Sequence, residues 1–301
     1  MLDTDNEQKL PLAGLVVAHL GKGLAVETEA GETILCHTRR NLSTAAVGDR
    51  VLWEPCDGNL GRVIEILDRK SLLNRPSRQK TTRPVAANLD QILIVFAPKP
   101  HFDLLLIDQY LVVCENRGLK AALVYNKVDL ADSSASIDPV LHLYEIIGYP
   151  SYRVSAKTGA GLDELKRELV GHSSMLAGQS GVGKSSLTNA LIPEKTIQTA
   201  TLSSGNQHGR HTTTTTTLFH LPDGGDLIDS PGVAIFGLAD TGEAELAFGY
   251  REFRPFLTQC RFNDCRHLQD AGCVVKAAVE RGEINENRYL RFLKLREKLP
   301  R

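Results

Sequence analysis

The sequence predicts a multidomain α/β protein in three parts: a small N-terminal β-barrel, a central three-layer α/β domain, and a helical C-terminal segment built around cysteine and histidine. Three observations point there. Between residues 15 and 67 the apolar residues fall into five short runs cut by turn signals, from 91 to 228 strand-like and helix-like patterns alternate, and beyond Gly237 no strand signal remains. A chain of 301 residues, 42% hydrophobic and 24% charged, is long enough for two or three cores.

The five N-terminal runs are 15–17, 24–26, 33–36, 51–53 and 63–66, separated by Gly21-Lys22-Gly23, Ala30-Gly31-Glu32, Gly48-Asp49 and Asp57-Gly58-Asn59. Five strands in so short a stretch suggest a closed barrel, of the oligonucleotide-binding (OB) or the SH3-like type. The stretch 69–84 comes next, with six basic and no acidic residues and Pro76 in its middle, and reads as a linker.

After the linker, residues 91–96 and 121–125 are continuous apolar runs, as buried parallel strands require. Residues 103–117 between them have helical spacing that stops at Gly118. Further strands are expected at 152–155, 174–177, 216–221 and 226–228, and helices at 138–147, 162–169 and 184–191. The domain boundaries read as 1–72, 73–237 and 238–301.

Composition narrows the function. The net charge of −1 conceals a basic linker and a basic C-terminal segment around an acidic middle. That is the pattern either of a nucleic-acid binder with a non-binding core or of solvated faces. No apolar run approaches the ~20 residues that span a bilayer, and residues 1–9 are polar and acidic, so a cytoplasmic protein without membrane contact is expected. Six cysteines are too sparse for a disulfide scaffold.

The strongest motif is Gly178-Gln179-Ser180-Gly181-Val182-Gly183-Lys184-Ser185, which comes after an expected strand and, with Ser186, opens an expected helix. Glycines let backbone N–H groups turn toward phosphates, Lys184 neutralises β/γ oxygens and the Ser185 hydroxyl suits Mg²⁺. The base is indicated by Asn126-Lys127-Val128-Asp129 at a strand end. A carboxylate at Asp129 accepts from the ring N–H and exocyclic amine of guanine, a donor pair that adenine lacks on that edge. Asn126 bonds the base or ties the loops together, and the Lys127 stem covers a ring face. Ser155-Ala156-Lys157, at the next strand end, offers the Ala156 N–H to guanine O6.

Asp229-Ser230-Pro231-Gly232 supplies a carboxylate for water-bound Mg²⁺ and an N–H for the γ-phosphate. Before it, Gly209-Arg210-His211 leads into six threonines, 212–217. Spacing to the next strand favours Thr214 for completing the Mg²⁺ shell, with Thr213 next. His211 is the candidate for positioning the attacking water. Val233 stands after Asp-x-x-Gly where a water-orienting glutamine often sits in GTPases, and that predicts slow intrinsic turnover. In the tail, Cys260, Cys265, His267 and Cys273 are the complete ligand set of a closed structural zinc site. The helix expected at 285–299 carries Arg288, Arg291, Lys294, Arg296 and Lys298 and reads as an RNA contact or a solvated face.

The order of the parts is unusual, because the guanine box and Ser-Ala-Lys precede the phosphate loop, the threonine run and Asp-x-x-Gly. Such a permutation preserves the site, since domain termini commonly lie close together. This order, with a barrel before it and the Cys/His cluster after it, resembles the bacterial ribosome small-subunit-dependent GTPase A family, RsgA or YjeQ. The resemblance covers nearly the whole chain. It implies an OB-fold, a circularly permuted P-loop GTPase domain and a helical zinc domain, with GTP hydrolysis stimulated by the 30S subunit during its late maturation. The implied cofactors are one structural Zn²⁺ and Mg²⁺ with GTP. The implied partners are GTP and GDP, the 30S subunit and its 16S rRNA, with no DNA and with the protein a monomer. Gly181 stands where potassium-activated GTPases carry asparagine. The competing readings are a GTP-gated RNA-binding checkpoint and a GTPase of tRNA modification or protein targeting.

Overall fold

In the computed structural model the described residues are 10–21, 23–39, 42–76, 82–130, 137–192, 216–230, 238 and 241–299. Strands β1 (Leu12–Leu20), β2 (Gly23–Thr28), β3 (Thr33–Thr38), β4 (Arg50–Cys56) and β5 (Leu60–Ile66) contain the five apolar runs. β1 pairs antiparallel with both β2 and β4, β2 with β3, β4 with β5, and β3 runs parallel to β5. The sheet therefore closes on itself in the five-stranded Greek-key manner of the OB-fold. Its interior is a separate core of Val16, Leu24, Val26, Cys36, Val51, Trp53 and Val63. Gly61 is required there, because a Cβ would stand 2.4 Å from Cys36 Sγ and 2.8 Å from the Trp53 ring.

The expected linker is not unstructured. β6 (Leu72–Pro76) and β7 (Thr82–Ala87) form an antiparallel pair whose register shifts beside Pro84. Residues 77–81, which connect the two strands, lie outside the described residues. Proline and a run of positive charge masked the strand signal in the sequence. The pair fastens the barrel to the start of the central domain, as Ala87 N–H donates to Val47 O at 2.8 Å and Asn88 Nδ2 to Gly48 O at 2.8 Å.

The central domain is a sheet in the order β10-β9-β8-β11-β13-β12, continuous with the barrel through β1. β8 (Gln91–Phe96), β9 (Lys120–Tyr125), β10 (Ser151–Arg153), β11 (Ser173–Ala177) and β13 (Asp226–Asp229) are parallel, and β12 (Thr217–His220) is antiparallel to β13. All six residues of β8 are buried because both faces of the sheet are covered. Ile92, Ile94 and Phe96 enter one core, while Leu93 and Val95 enter the other. Helices α3 (Leu162–Leu169) and α4 (Lys184–Leu191) cover the second face. Helices α1 (Leu104–Asn116) and α2 (Asp138–Ile147) cover the first, together with the C-terminal segment.

That segment consists of α5 (Glu243–Phe248), α6 (Arg254–Leu257), α7 (Val274–Glu280) and α8 (Glu286–Arg296), with no strand among its described residues. It shares the core of α1: Tyr250, Phe253 and Phe292 pack their rings within 5.5 Å of one another. Gly249 allows this approach, since a Cβ would lie 2.7 Å from Val112 Cγ1. No helix among the described residues is long and apolar enough to cross a membrane.

Candidate functional site

In parallel α/β sheets ligands bind beyond the carboxyl ends of the strands, and the predicted motifs gather there. The phosphate loop leaves the end of β11, the guanine box leaves β9, Ser155 comes just after β10 and Asp229 ends β13. Gly178, Gly181 and Gly183 have φ values of 143°, 82° and 97°, which side chains rarely adopt. At Gly178 space demands glycine as well, since a Cβ would meet Val95 O at 2.1 Å. The loop opens directly into α4, with Gly183 at its N-cap, so Lys184, Ser185 and Ser186 form the first turn where the helix dipole favours anions. Lys184 Nζ donates to the carbonyls of Gly178 and Gln179 at 2.7 and 2.8 Å. Burial holds this ammonium below its ordinary pKa, and the Asp229 charge opposes that shift.

One side chain knits the permuted pieces together. Asn126 is fully buried; its Nδ2 donates to Val182 O of the phosphate loop at 2.9 Å, and its Oδ1 accepts from Ala156 N–H at 3.2 Å. Of the two roles open to it in the sequence, Asn126 therefore ties the loops. The Ala156 amide, expected to face guanine O6, is directed to Asn126 here. Lys127, at φ 63°, extends over the phosphate loop, its Nζ donating to Gly181 O at 2.6 Å and to Lys99 O at 2.9 Å. Val128 opens a 3-10 turn that places Asp129 at the surface, and Asp129 Oδ1 accepts from Ser155 Oγ at 2.6 Å. Ser155 Oγ in turn accepts from Thr158 N–H at 3.2 Å, so Ser155 orients the carboxylate meant for the base. Lys157 stands exposed beside this turn.

Asp229 pairs in register with Thr217, and Ser230 Oγ lies 2.8 Å from Thr216 Oγ1, so the end of the threonine run touches the Asp-x-x-Gly segment. Thr214, His211 and Gly232 lie outside the described residues. Two supports escaped the sequence reading. Ser155 is expected from the sequence only as part of the Ser-Ala-Lys motif at the nucleotide, not as a partner of Asp129, and Tyr110, buried on α1, bonds the backbone of Gly178. Only the topology brings α1 under that loop.

The second cluster is equally compact. The donor atoms of Cys260, Cys265, His267 and Cys273 lie within 4.8 Å of one another. Cys260 Sγ and Cys273 Sγ each lie 3.7 Å from His267 Nδ1. Zn–S and Zn–N bonds of about 2.3 and 2.0 Å in a tetrahedron set such edges at roughly 3.5 to 3.8 Å, and the two His267 edges fall in that range, so the four donors could hold a zinc ion. His267 adopts φ 59°, and its carbonyl accepts from the Tyr289 hydroxyl at 2.7 Å, which anchors the loop to α8.

The arginines of α8 are drawn into ion pairs. Arg288 is 1% exposed and pairs with Asp108 and Glu252, Arg291 pairs with Asp108, and Arg296 with Glu243. These three are held in ion pairs, which leaves Lys294 on α8 and Lys298 just beyond it as the exposed lysines. The sequence showed a basic face but not the carboxylates that meet it, Asp108 on α1 and Glu243 and Glu252 in the C-terminal segment.

The RsgA GTPase family model matches residues 66–239. A Pseudomonas aeruginosa protein named small ribosomal subunit biogenesis GTPase RsgA is 44% identical over 95% of this chain and 85% of its own length. The chain belongs to the RsgA GTPase family. An Azotobacter vinelandii RsgA matches at the same identity and coverage. The crystal structure of YjeQ from Thermotoga maritima superimposes with a TM-score of 0.77 at 38% identity, covering 96% of this chain and 98% of its own. YloQ, described as a circularly permuted GTPase, does so with a TM-score of 0.75 at 28% identity, covering 99% and 100%. RsgA GTPases are hydrolases of GTP, and the permuted order of motifs in this chain is that of the family.

Proposed function

We propose that this GTPase works in the cytoplasm on the small ribosomal subunit, binding the 30S precursor and its 16S rRNA in the GTP form and leaving after hydrolysis, during late maturation. The observation that carries the reading is Asn126, which holds guanine box, phosphate loop and Ser-Ala-Lys loop in one site flanked by a barrel and a zinc domain. The names of the Pseudomonas and Azotobacter relatives supply the subunit. We divide the chain into barrel (1–72), G domain (73–237) and zinc domain (238–301), acting as a monomer.

In the reaction, water attacks the γ-phosphorus and the bond to the bridging oxygen of GDP breaks, giving GDP and phosphate. Lys184 and the loop N–H groups offset the charge that develops on the phosphate oxygens. Asp129 selects guanine, held in position by Ser155. Ser185, Asp229 and Thr214 would hold Mg²⁺, hard oxygen donors of the kind it requires. That ion would supply charge neutralisation. His211 positions the water in place of the missing glutamine, and docking on the 30S subunit accelerates the step. Zn²⁺ on Cys260, Cys265, His267 and Cys273 has a structural role.

The test is GTP hydrolysis by the full chain with and without purified 30S subunits. Strong stimulation supports the proposal. An unchanged rate with GTP-dependent binding to 30S would make the protein a checkpoint whose hydrolysis only resets it, and absence of binding would refute the ribosomal assignment.

A further inference from the structure

The hairpin β12–β13 carries at its open end both segments that flank the γ-phosphate, with Thr217 opposite Asp229 and Thr216 touching Ser230. Its other edge belongs to the barrel. Among the described residues the seam between β12 and β1 has one register pair, Ala18 with Thr217. That pair is the pivot, and around it Val17, Ala18 and Ala25 share one core with Leu218 and Ile228.

His220 supplies a second point. His220 lies three residues beyond Thr217 on β12, and Glu27, on β2, is the register partner of Leu15 on β1. The imidazole reaches over β1: its Nε2 lies 3.0 and 3.1 Å from the two carboxylate oxygens of Glu27, and its Nδ1 lies 2.6 Å from Asp226 Oδ1. Three residues of strand put this clamp about 10 Å from the pivot. These groups line a cleft of about 860 Å³ between barrel and G domain. Of the other charged groups in the cleft, Lys70 and Asp90 pair with each other at 2.6 Å, and His172 Nε2 lies 3.1 Å from Lys120 Nζ. Neither pair competes for the clamp.

We propose that His220, held between Glu27 and Asp226, is a positioning residue that makes the barrel and the β12–β13 hairpin move as one body, so that a load on the barrel alters the geometry at Thr216 and Asp229. Apolar packing at the pivot is non-directional, whereas the hydrogen bonds of His220 to two carboxylates fix the angle of the hairpin on the barrel. The sequence hid this, because His220 and Glu27 are 193 positions apart. The proposal rests on the GTPase reading of the site.

The experiment is amide hydrogen exchange on the full chain saturated with GDP or with a non-hydrolysable GTP analogue. In the wild type, protection differs between the two nucleotides both in 216–220 and in 12–28. In His220→Gln the difference in 12–28 shrinks at least about threefold while that in 216–220 stays, and basal hydrolysis stays within about twofold. Glu27→Gln, which leaves the Asp226 contact in place, gives the same pattern. Either variant keeping the wild-type difference in 12–28 would overturn the proposal. So would a wild type that hydrolyses GTP yet shows no difference there, whereas a wild type that binds no GTP would refute the GTPase reading as well.

Discussion

Asp108, fully buried on α1, accepts hydrogen bonds from Arg288 and Arg291 of α8 and from the Tyr144 hydroxyl on α2. Arg288 completes its own set with Glu252, Nε to Oε1 at 2.7 Å, and its guanidinium lies 4.5 Å from the centre of the Tyr250 ring. Taking these charges out of water costs several kcal/mol each, and only a nearly complete set of partners offsets it. The C-terminal segment is thus docked on the G domain by a network that tolerates no missing member.

Arg288→Ala leaves Asp108 and Glu252 short of a partner, and urea denaturation should find it destabilised by about 3–5 kcal/mol. A loss under about 1 kcal/mol would mean that the network is not an anchor.

Lys184→Ala removes the ammonium from the phosphate loop and should lower the hydrolysis rate by at least about 100-fold in single-turnover assays. Near-normal turnover would show that phosphate charge is neutralised by another group.

Cys265→Ser removes one of four donors from the cluster, and a chelator would strip the zinc that we propose it holds. Structural zinc contributes directly to folding, so the 258–273 loop should lose protection from exchange and 30S binding should weaken. GTP affinity should stay within about threefold, since the cluster lies apart from the nucleotide loops. Elemental analysis finding no zinc per chain would contradict the assignment.

His220 has its pKa pushed up to about 9, chiefly by the hydrogen bond from its ring to Asp226 and then by Glu27. A raised pKa means that its contribution to stability is complete below the unfolded value near 6.5 and is lost as pH rises through about 9. Thermal denaturation between pH 7 and 10 should therefore show a decline that His220→Gln flattens. An equal decline in the variant would assign it to other groups.

Much of this was legible because the signals are local. Gly178 to Ser185, Asn126 to Asp129 and the Cys/His set are each contiguous or nearly so, and residues 138–147, 162–169 and 184–191 are helical as their spacing predicted. The misses are long-range. Pro76 and Pro84 concealed the β6–β7 pair, which its barrel contacts help to hold. The inward turn of Arg288 and Arg291 depended on Asp108, 180 or more positions away. Whether Asn126 bonds base or backbone was decided by where Val182 and Ala156 come to lie.

On the proposed reading a guanine nucleotide occupies the site that Asn126 assembles, with Asp129 reading the base. The most direct measurement is the affinity of Asp129→Asn for GTP and for xanthosine triphosphate, which carries a carbonyl where guanine carries its amine. An amide at 129 can donate to that carbonyl but cannot accept from both guanine donors. GTP affinity should fall at least about 100-fold while xanthosine triphosphate binding is gained. An Asp129→Asn variant that still prefers GTP by the wild-type margin would contradict the account.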